Sequence, residues 1–198
     1  MASAGAVAWY ENDGSESFAA HTMDASPAGF YSVFAIDVDG DGDSDALTAS
    51  TTFDTVAWYE NACEPAPVPT TFCTAVAFST RIVTTLADNA RSVFAIDVDG
   101  DGDVDVLSAS KADHTVAWYE NDGSQSFTER VVEANAEFAW SVYAIDGDGD
   151  GDVDVLSASY QDDTIACYEN DGAQSGTGVF AVLFLHHSGS TGPSRSTS

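Results

Sequence analysis

Short runs in which apolar and polar residues alternate recur along the chain, and clusters of turn-forming residues separate them. In TVAWYEN (115–121), for example, Val116, Trp118 and Glu120 fall on one face of an extended strand. The separating clusters include Asp-Gly, Asn-Asp-Gly and Pro-Ala-Gly, which favour tight turns, and no segment keeps a helical period over three turns. The pattern therefore predicts an all-β protein built from short strands.

The strand pattern repeats as a unit. The string WYEN begins at Trp9, Trp58 and Trp118, and CYEN begins at Cys167, so that the spacings are 49, 60 and 49 residues. One period of 49 residues with a single insertion, at residues 62–77, explains these intervals and indicates a repeat architecture. The recurring tryptophan is expected to pack in the core or between units, where the smaller cysteine would loosen the last unit.

Each unit contains four predicted strands. In the third unit they are residues 92–97, 105–110, 115–121 and 126–133. Four short strands in about 40–50 residues are typical of a β-propeller blade. A β-sandwich is the alternative, but it does not explain why whole units repeat with their loops intact. We therefore predict a β-propeller-like repeat of about three and a half four-stranded blades over residues 1–185.

Both ends of the chain depart from a whole number of repeats. The chain begins at the third strand of a unit, and matching to the repeat stops after Ser175. A Ser/Gly/Thr-rich segment at 186–198 predicts a disordered tail, and no signal peptide is visible at the start. Because propellers usually have four to eight blades, we expect either a truncated chain or a small four-bladed ring. Such a ring would close by pairing the N-terminal half-blade with the C-terminal strands.

The net charge limits the classes of partner. The chain has 33 acidic residues against 5 basic ones, which gives a formal net charge of −28. An excess of this size repels nucleic-acid phosphates and anionic lipid, and it attracts cations. No apolar stretch approaches the roughly 20 residues that a membrane span needs. We therefore expect neither nucleic-acid binding nor membrane insertion.

Three Asp-rich loops concentrate this charge: DVDGDGDSD (37–45), DVDGDGDVD (97–105) and DGDGDGDVD (146–154), called here the Asp loops. Each has aspartate at positions 1, 3, 5, 7 and 9 and glycine at position 6, which permits a tight turn. Carboxylates this close repel one another unless a cation neutralises them, and Ca²⁺ accepts six to eight oxygen ligands in flexible geometry. The pattern predicts about three structural Ca²⁺ ions, and acidic turns without an ion are the alternative.

We assign the side-chain ligands to positions 1, 3, 5 and 9. These are Asp37, Asp39, Asp41 and Asp45; Asp97, Asp99, Asp101 and Asp105; and Asp146, Asp148, Asp150 and Asp154. Position 7 (Asp43, Asp103 and Asp152) is expected to offer its backbone carbonyl. The loops are not EF-hands, because position 12 is Thr48, Ser108 or Ser157 rather than glutamate and strands flank the loops.

The combination of AIDVDGDGDVDVLSAS with TVAWYENDG resembles the FG-GAP/VCBS repeat family, over roughly residues 6–175. This family provides the calcium-binding blades also found in the integrin α-subunit propeller. The resemblance implies that the ions lie between the first two strands of each blade and brace the propeller. It also implies an extracellular or cell-surface location and a role in adhesion or in binding a protein or glycan. An accessory propeller of a larger secreted enzyme, such as a polysaccharide lyase or hydrolase, is the alternative.

Catalytic patterns are missing from the sequence. Only four histidines occur, and we find no Ser-His-Asp spacing, nucleophile elbow, P-loop or zinc pattern. The abundant paired carboxylates are accounted for by the Asp loops. We therefore do not expect an enzyme.

The loops at the end of the blades opposite the Asp loops differ from copy to copy, whereas the strands and the Asp loops barely change. Binding residues commonly lie on variable loops of a rigid scaffold. We predict a ligand face that includes Phe53, His114, Tyr160, Phe30, Phe138 and Trp140. For Phe138 and Trp140 the alternative is packing between blades.

Two cysteines, Cys63 and Cys73, bracket a Pro-rich segment inside the insertion. They could close a small disulfide loop in an oxidising compartment. Two exposed thiols are the alternative.

Overall fold

The computed structural model describes residues 5–26, 29–62, 78–172 and 180–187. Cys63, Cys73 and residues 188–198 of the predicted tail lie outside this part of the chain. The described residues form fourteen strands and no helix that could cross a membrane. The strands are β1 (Val7–Asn12), β2 (Phe18–Asp24), β3 (Phe30–Ile36), β4 (Asp45–Ser50), β5 (Thr55–Asn61), β6 (Phe78–Thr84), β7 (Ala90–Ile96), β8 (Asp105–Ser110), β9 (Thr115–Asn121), β10 (Phe127–Glu133), β11 (Ala139–Ile145), β12 (Asp154–Ser159), β13 (Thr164–Asn170) and β14 (Phe180–His187).

The strands pair in chain order into one two-stranded and three four-stranded antiparallel sheets, β1–β2, β3–β6, β7–β10 and β11–β14. This arrangement confirms the predicted half-blade followed by three four-stranded blades. β1 pairs with β2 and β14 pairs with β13, and no described strand joins the two ends. The alternative of a small ring closed by strand pairing is therefore wrong for the described strands.

Successive blades stack face to face. Every residue of β4 and of β8 is buried, because each strand lies inside its sheet and contributes to clusters shared with another blade. Val116 and Trp118 of β9 belong to the cluster shared with the β11–β14 blade, whereas Ala117 and Tyr119 belong to the cluster shared with the β3–β6 blade. The alternation predicted for this strand thus separates two interfaces, and the apolar core lies between the blades.

The recurring tryptophan has the packing role that the repeat predicted. Trp58 and Trp118 are 1% and 3% exposed, each between two blades. Trp9, in the half-blade, is only partly buried and stacks on His21 with the ring centroids 4.4 Å apart.

The first strands of the three full blades lie side by side, because β7 contacts both β3 and β11, and they form the edge at which the blades converge. Phe94 packs against Phe34 and Tyr143, with ring centroids 4.7 and 4.6 Å away. The backbone N–H of Val93 donates to Ser32 Oγ of the preceding blade at 3.3 Å. Equivalent residues of successive blades therefore touch, which aligns the loops at each end of the repeat.

Candidate metal centres and the opposite loop end

Each Asp loop connects the first strand of a blade to the second, as β3–β4, β7–β8 and β11–β12. The loop begins directly after a strand and ends where position 9 opens the next one. The residue just before the loop pairs with position 9 in the ladder, for example Ile96 with Asp105. The predicted strand-to-strand setting is therefore present, and Ser108 at position 12 is buried in β8, where its Oγ contacts the Tyr119 hydroxyl at 3.2 Å.

The position 9 aspartates hold the loops in place from inside the blade. Asp105 is 0% exposed, and its two oxygens accept the backbone N–H groups of Val98 and Asn121 at 3.0 and 2.8 Å. Asp45 and Asp154 make the same pair of hydrogen bonds. One carboxylate thus links the start of the loop, the start of the second strand and the end of the third.

The position 1 aspartates fold the loop from its exposed side. Asp97 accepts the N–H of Gly100 at 2.7 Å and that of Gly102 at 3.0 Å. Gly102 has a φ of +100°, a left-handed conformation that side chains disfavour, so glycine at position 6 is required by the turn. Donation from the backbone to these carboxylates keeps their oxygens gathered on one side.

The carboxylates converge in all three loops. In each loop, three aspartates offer oxygens that all lie within 4.8 Å of one another. These sets are Asp37, Asp39 and Asp45; Asp97, Asp99 and Asp101; and Asp146, Asp148 and Asp154. Positions 1 and 3 take part in every loop, position 9 in two loops and position 5 in one. The remaining predicted side-chain ligands, Asp41, Asp105 and Asp150, lie in the same loops outside these sets.

The electrostatics of the loops favour bound positive charge. Burial raises the pKa of Asp105 to about 7 and that of Asp45 to about 6, although hydrogen bonds from backbone N–H groups act in the opposite direction. Burial raises the pKa of Asp99 as well, and the nearby charge of Asp101 adds to the shift. Without a counter-charge, these carboxylates tend to keep their protons, whereas a cation among them would favour the ionised form.

Position 7 has a contact that the sequence reasoning missed. The Asp103 carboxylate lies against Gly123 in the β9–β10 turn, where an added Cβ would stand 2.5 Å from Asp103 Oδ2. Asp152 lies against Gly172 in the equivalent turn. The signal in the sequence is the Asn-Asp-Gly that follows Tyr-Glu in the second and third full blades, at 121–123 and 170–172. The turn between strands three and four therefore supports the Asp loop from one side.

At the opposite end, the structure brings together two pairs of the predicted ligand-face residues. The Trp140 and Tyr160 rings are 5.9 Å apart, and Tyr160 is 73% exposed. The Phe138 ring stands edge-on to His114 at 5.4 Å, and His114 Nδ1 accepts the Phe138 N–H at 3.0 Å. Because these two residues belong to successive blades, Phe138 also packs at an interface, as the alternative proposed.

The other two predicted residues lie apart from these pairs. Phe53 is exposed on the β4–β5 loop. Phe30 is partly buried and packs against Val7, Ala46 and Tyr59 between the half-blade and the first full blade. Its apolar ring is covered there because the half-blade lies directly over the start of β3.

Two residues near this end, Tyr31 and Arg91, were not singled out by the sequence reasoning. The Arg91 guanidinium carbon lies 3.9 Å from the centroid of the Tyr31 ring and 4.7 Å from that of Trp140. The sequence feature that could have pointed to them is one variable position in otherwise similar strands, where Tyr, Arg or Trp precedes the repeated Ser-Val.

Comparison with known proteins identifies the repeat. No curated protein gives a significant match. The family model described as an FG-GAP-like repeat matches residues 1–48 and 97–157, which is more than half of the chain and includes all three Asp loops. The chain belongs to the FG-GAP-like repeat family.

Proposed function

We propose that this chain is a calcium-stabilised β-propeller repeat module that serves as an extracellular scaffold for adhesion or for binding a protein or glycan. The observation that carries the proposal is the convergence of three carboxylates at the same place in three successive blades. Repulsion between such groups destabilises the folded chain unless a cation lies among them. The proposed role of the ions is structural, and we do not assign the module a reaction.

The donor set fits Ca²⁺. The gathered ligands are all carboxylate oxygens, which are hard donors, and the loops contain no nitrogen or sulfur ligand that would favour a transition metal. A bound ion would neutralise the loop and would tie its exposed side to the buried start of the second strand. The residues that would hold the ions are the three sets that converge, together with the remaining aspartates at positions 5 and 9.

The placement of the variable loops supports a binding role. Aromatic side chains gather at the end of the blades opposite the Asp loops, where Trp140 and Tyr160 are both exposed. A metal-braced scaffold would hold such loops rigid, which lowers the entropy cost of binding. An extracellular location agrees with the family. Calcium sites of extracellular modules commonly have dissociation constants of about 0.1–1 mM, so weak sites would still be occupied there.

Calcium titration tests this proposal. Calorimetry of the whole chain is expected to give about three sites, and saturating calcium should raise the melting temperature because the ion binds only the folded state. Asp99→Asn should remove one site. Glu137→Gln removes the same charge from the exposed opposite end and should leave the number of sites unchanged. Absence of calcium binding by the wild-type chain would refute the proposal.

A further inference from the structure

The converging strands of the three full blades each contain a β-bulge at their second residue. The ladder register shifts between Phe30 and Ser32 in β3, and the equivalent shifts in β7 and β11 pass over Arg91 and Trp140. A bulge leaves one residue unpaired and re-aims its side chain. We call Tyr31, Arg91 and Trp140 the bulge residues; they differ from blade to blade, whereas the Ser-Val that follows them repeats.

The three bulge residues stack on one another. The Arg91 guanidinium lies between the rings of Tyr31 and Trp140, at 3.9 and 4.7 Å from their centroids. Its Nε donates to Asn89 Oδ1 at 2.9 Å. Two rings and one hydrogen bond therefore restrain the guanidinium of this partly buried residue, and its terminal Nη groups carry further donors in the same plane.

Arg91 differs from two other arginines of the chain in having no carboxylate partner among the described residues. Arg81 pairs with Glu60 and Arg130 pairs with Glu120, whereas Arg91 has no ion pair with any residue that the structure describes. This is notable in a chain with a net charge of −28, in which carboxylates are abundant.

A second cationic residue, Lys111, contacts Asn89 as Arg91 does. The Lys111 ammonium stands 4.8 Å from the centroid of the Phe138 ring, and the Lys111 N–H donates to the carbonyl of Asn89. Both cations therefore belong to residues that contact Asn89, and each is held against an aromatic ring. The Asp54 carboxylate contacts Asn89 as well, because its Oδ1 accepts the Asn89 N–H at 2.9 Å.

We infer that Arg91, held between Tyr31 and Trp140, binds the carboxylate of a sugar acid; this inference rests on the proposed role of the module as a ligand-binding scaffold. A rigid guanidinium presents a planar fork that matches a carboxylate. Tyr31 and Trp140 are 56% and 46% exposed, so their rings can pack against the C–H groups of a sugar next to that carboxylate. The strong net negative charge disfavours ligands with many charges, such as nucleic acid or a polyacidic peptide.

The test is a titration of the calcium-loaded whole chain with glucuronate, observed through the indole N–H resonance of Trp140. Glucose and the methyl ester of glucuronate, which lack the charged group, should bind at least about tenfold more weakly than glucuronate. Arg91→Gln should weaken glucuronate binding by a similar factor. Arg130→Gln is the matched control, because Arg130 also lies over a tryptophan, Trp118, at 5.6 Å, yet is paired with Glu120.

Three outcomes would overturn the inference: no response of the wild-type chain to glucuronate, equal binding of glucuronate and its methyl ester, or unchanged binding by a folded Arg91→Gln variant. An Arg91-dependent response to an acidic peptide without a response to glucuronate would overturn the assignment to a sugar acid. If Arg91→Gln does not fold, the inference is still tested by comparing the binding of glucuronate and of its methyl ester to the wild-type chain. The calcium-dependent rise in melting temperature is independent of all these results, so a failure here is distinguishable from a failure of the proposed function.

Discussion

At the scale of single residues, the aspartate at position 9 of each Asp loop shows how one side chain serves both fold and site. Asp105 is fully buried and accepts two backbone N–H groups from different parts of its blade. Burial makes its negative charge costly, and its raised pKa reflects that cost. A cation bound in the loop would offset part of this cost, and in the other two loops the position 9 aspartates, Asp45 and Asp154, belong to the converging sets themselves.

Replacing Asp105 separates these two roles. In a calcium chelator, Asp105→Ala should destabilise the fold by about 2–4 kcal/mol, because the N–H groups of Val98 and Asn121 lose their acceptor. Asp105→Asn keeps an acceptor oxygen and should cost less. Chemical denaturation measures both values. Asp101→Ala, at an exposed position of the same loop, is the control and should cost less than about 1 kcal/mol.

At the scale of elements, loops of one blade hold the connector of the next. Asp54 Oδ1, in the β4–β5 loop, accepts the backbone N–H of Asn89, in the connector before β7, at 2.9 Å. One blade later, His114 and Phe138 form the equivalent contact. All four residues have positive φ values, between 51° and 60°, so both partners of each contact are held in a turn. The contact fixes the orientation of consecutive blades.

Asp54→Ala should weaken the fold by about 1–2 kcal/mol, because it leaves the partly buried N–H of Asn89 without its acceptor. Asp163 has the same place in the last blade and a similar φ of 52°, but it is exposed. Asp163→Ala is therefore the matched control, and thermal or denaturant unfolding should show little change. Equal losses for the two variants would show that the contact does not contribute.

Packing of the β9–β10 turn against an Asp loop gives another test at this scale. Gly123 has a φ of +75° and contacts Asp103, whereas Gly14, in the equivalent turn of the half-blade, has a φ of +78° and nothing within 4 Å of an added Cβ. Both alanine variants should lose about 1 kcal/mol from backbone strain. Gly123→Ala should in addition lower the affinity of the second Asp loop for calcium, because Asp103 must move.

Calorimetry of the two glycine variants measures this difference directly. Gly14→Ala should keep about three sites of unchanged affinity. A Gly123→Ala variant with wild-type calcium binding would contradict the inferred support of the loop by the turn.

At the scale of the whole molecule, burial depends on the neighbouring blade. Tyr59, Tyr119 and Tyr168 occupy one repeat position and are each 2% exposed, but Tyr10 at the same position of the half-blade is 64% exposed. On the other side, Val56 and Val116 are fully buried, whereas Ile165 of the last blade is 48% exposed. The residue at each position is the same or similar in every unit, so the difference in exposure comes from whether another blade packs on that face.

The stability of the whole chain should depend on pH in a direction set by the Asp loops. A group whose pKa is higher in the folded chain than in the unfolded chain stabilises the fold at low pH, and that contribution is lost as pH rises through the folded-state value. Asp45 and Asp105 have folded-state pKa values of about 6 and about 7. In a chelator, the melting temperature should therefore fall between about pH 5 and about pH 8.

Saturating calcium should abolish or reverse this fall, since the bound ion favours the ionised carboxylates. Carboxyls with lowered pKa values, such as Asp24 and Glu60, stay ionised across this window and add little to the trend. Asp105→Asn in the chelator should give a flatter dependence than the wild-type chain. A melting temperature that rises with pH in the chelator would contradict the role assigned to the buried aspartates.

Much of the fold and of the candidate metal centres could be predicted from the sequence, because the relevant information is local. Strand alternation in TVAWYEN, the turn residues and the Asp loops each lie within a short segment, and the 49-residue period showed that the segments repeat. Aspartates that lie two positions apart in a tight loop come close together whatever the rest of the chain does. The family followed from the same local patterns.

Contacts between blades were decided only by the tertiary structure. Arg91 stacks on residues 60 positions before it and 49 positions after it, and Phe30 turns into the core because the half-blade covers it. The depth at which Asp105 is buried likewise depends on the strands around it. Sequence spacing determines which residues share a strand face, but only the packing of one blade on the next determines which of them are covered, paired or left open to a ligand.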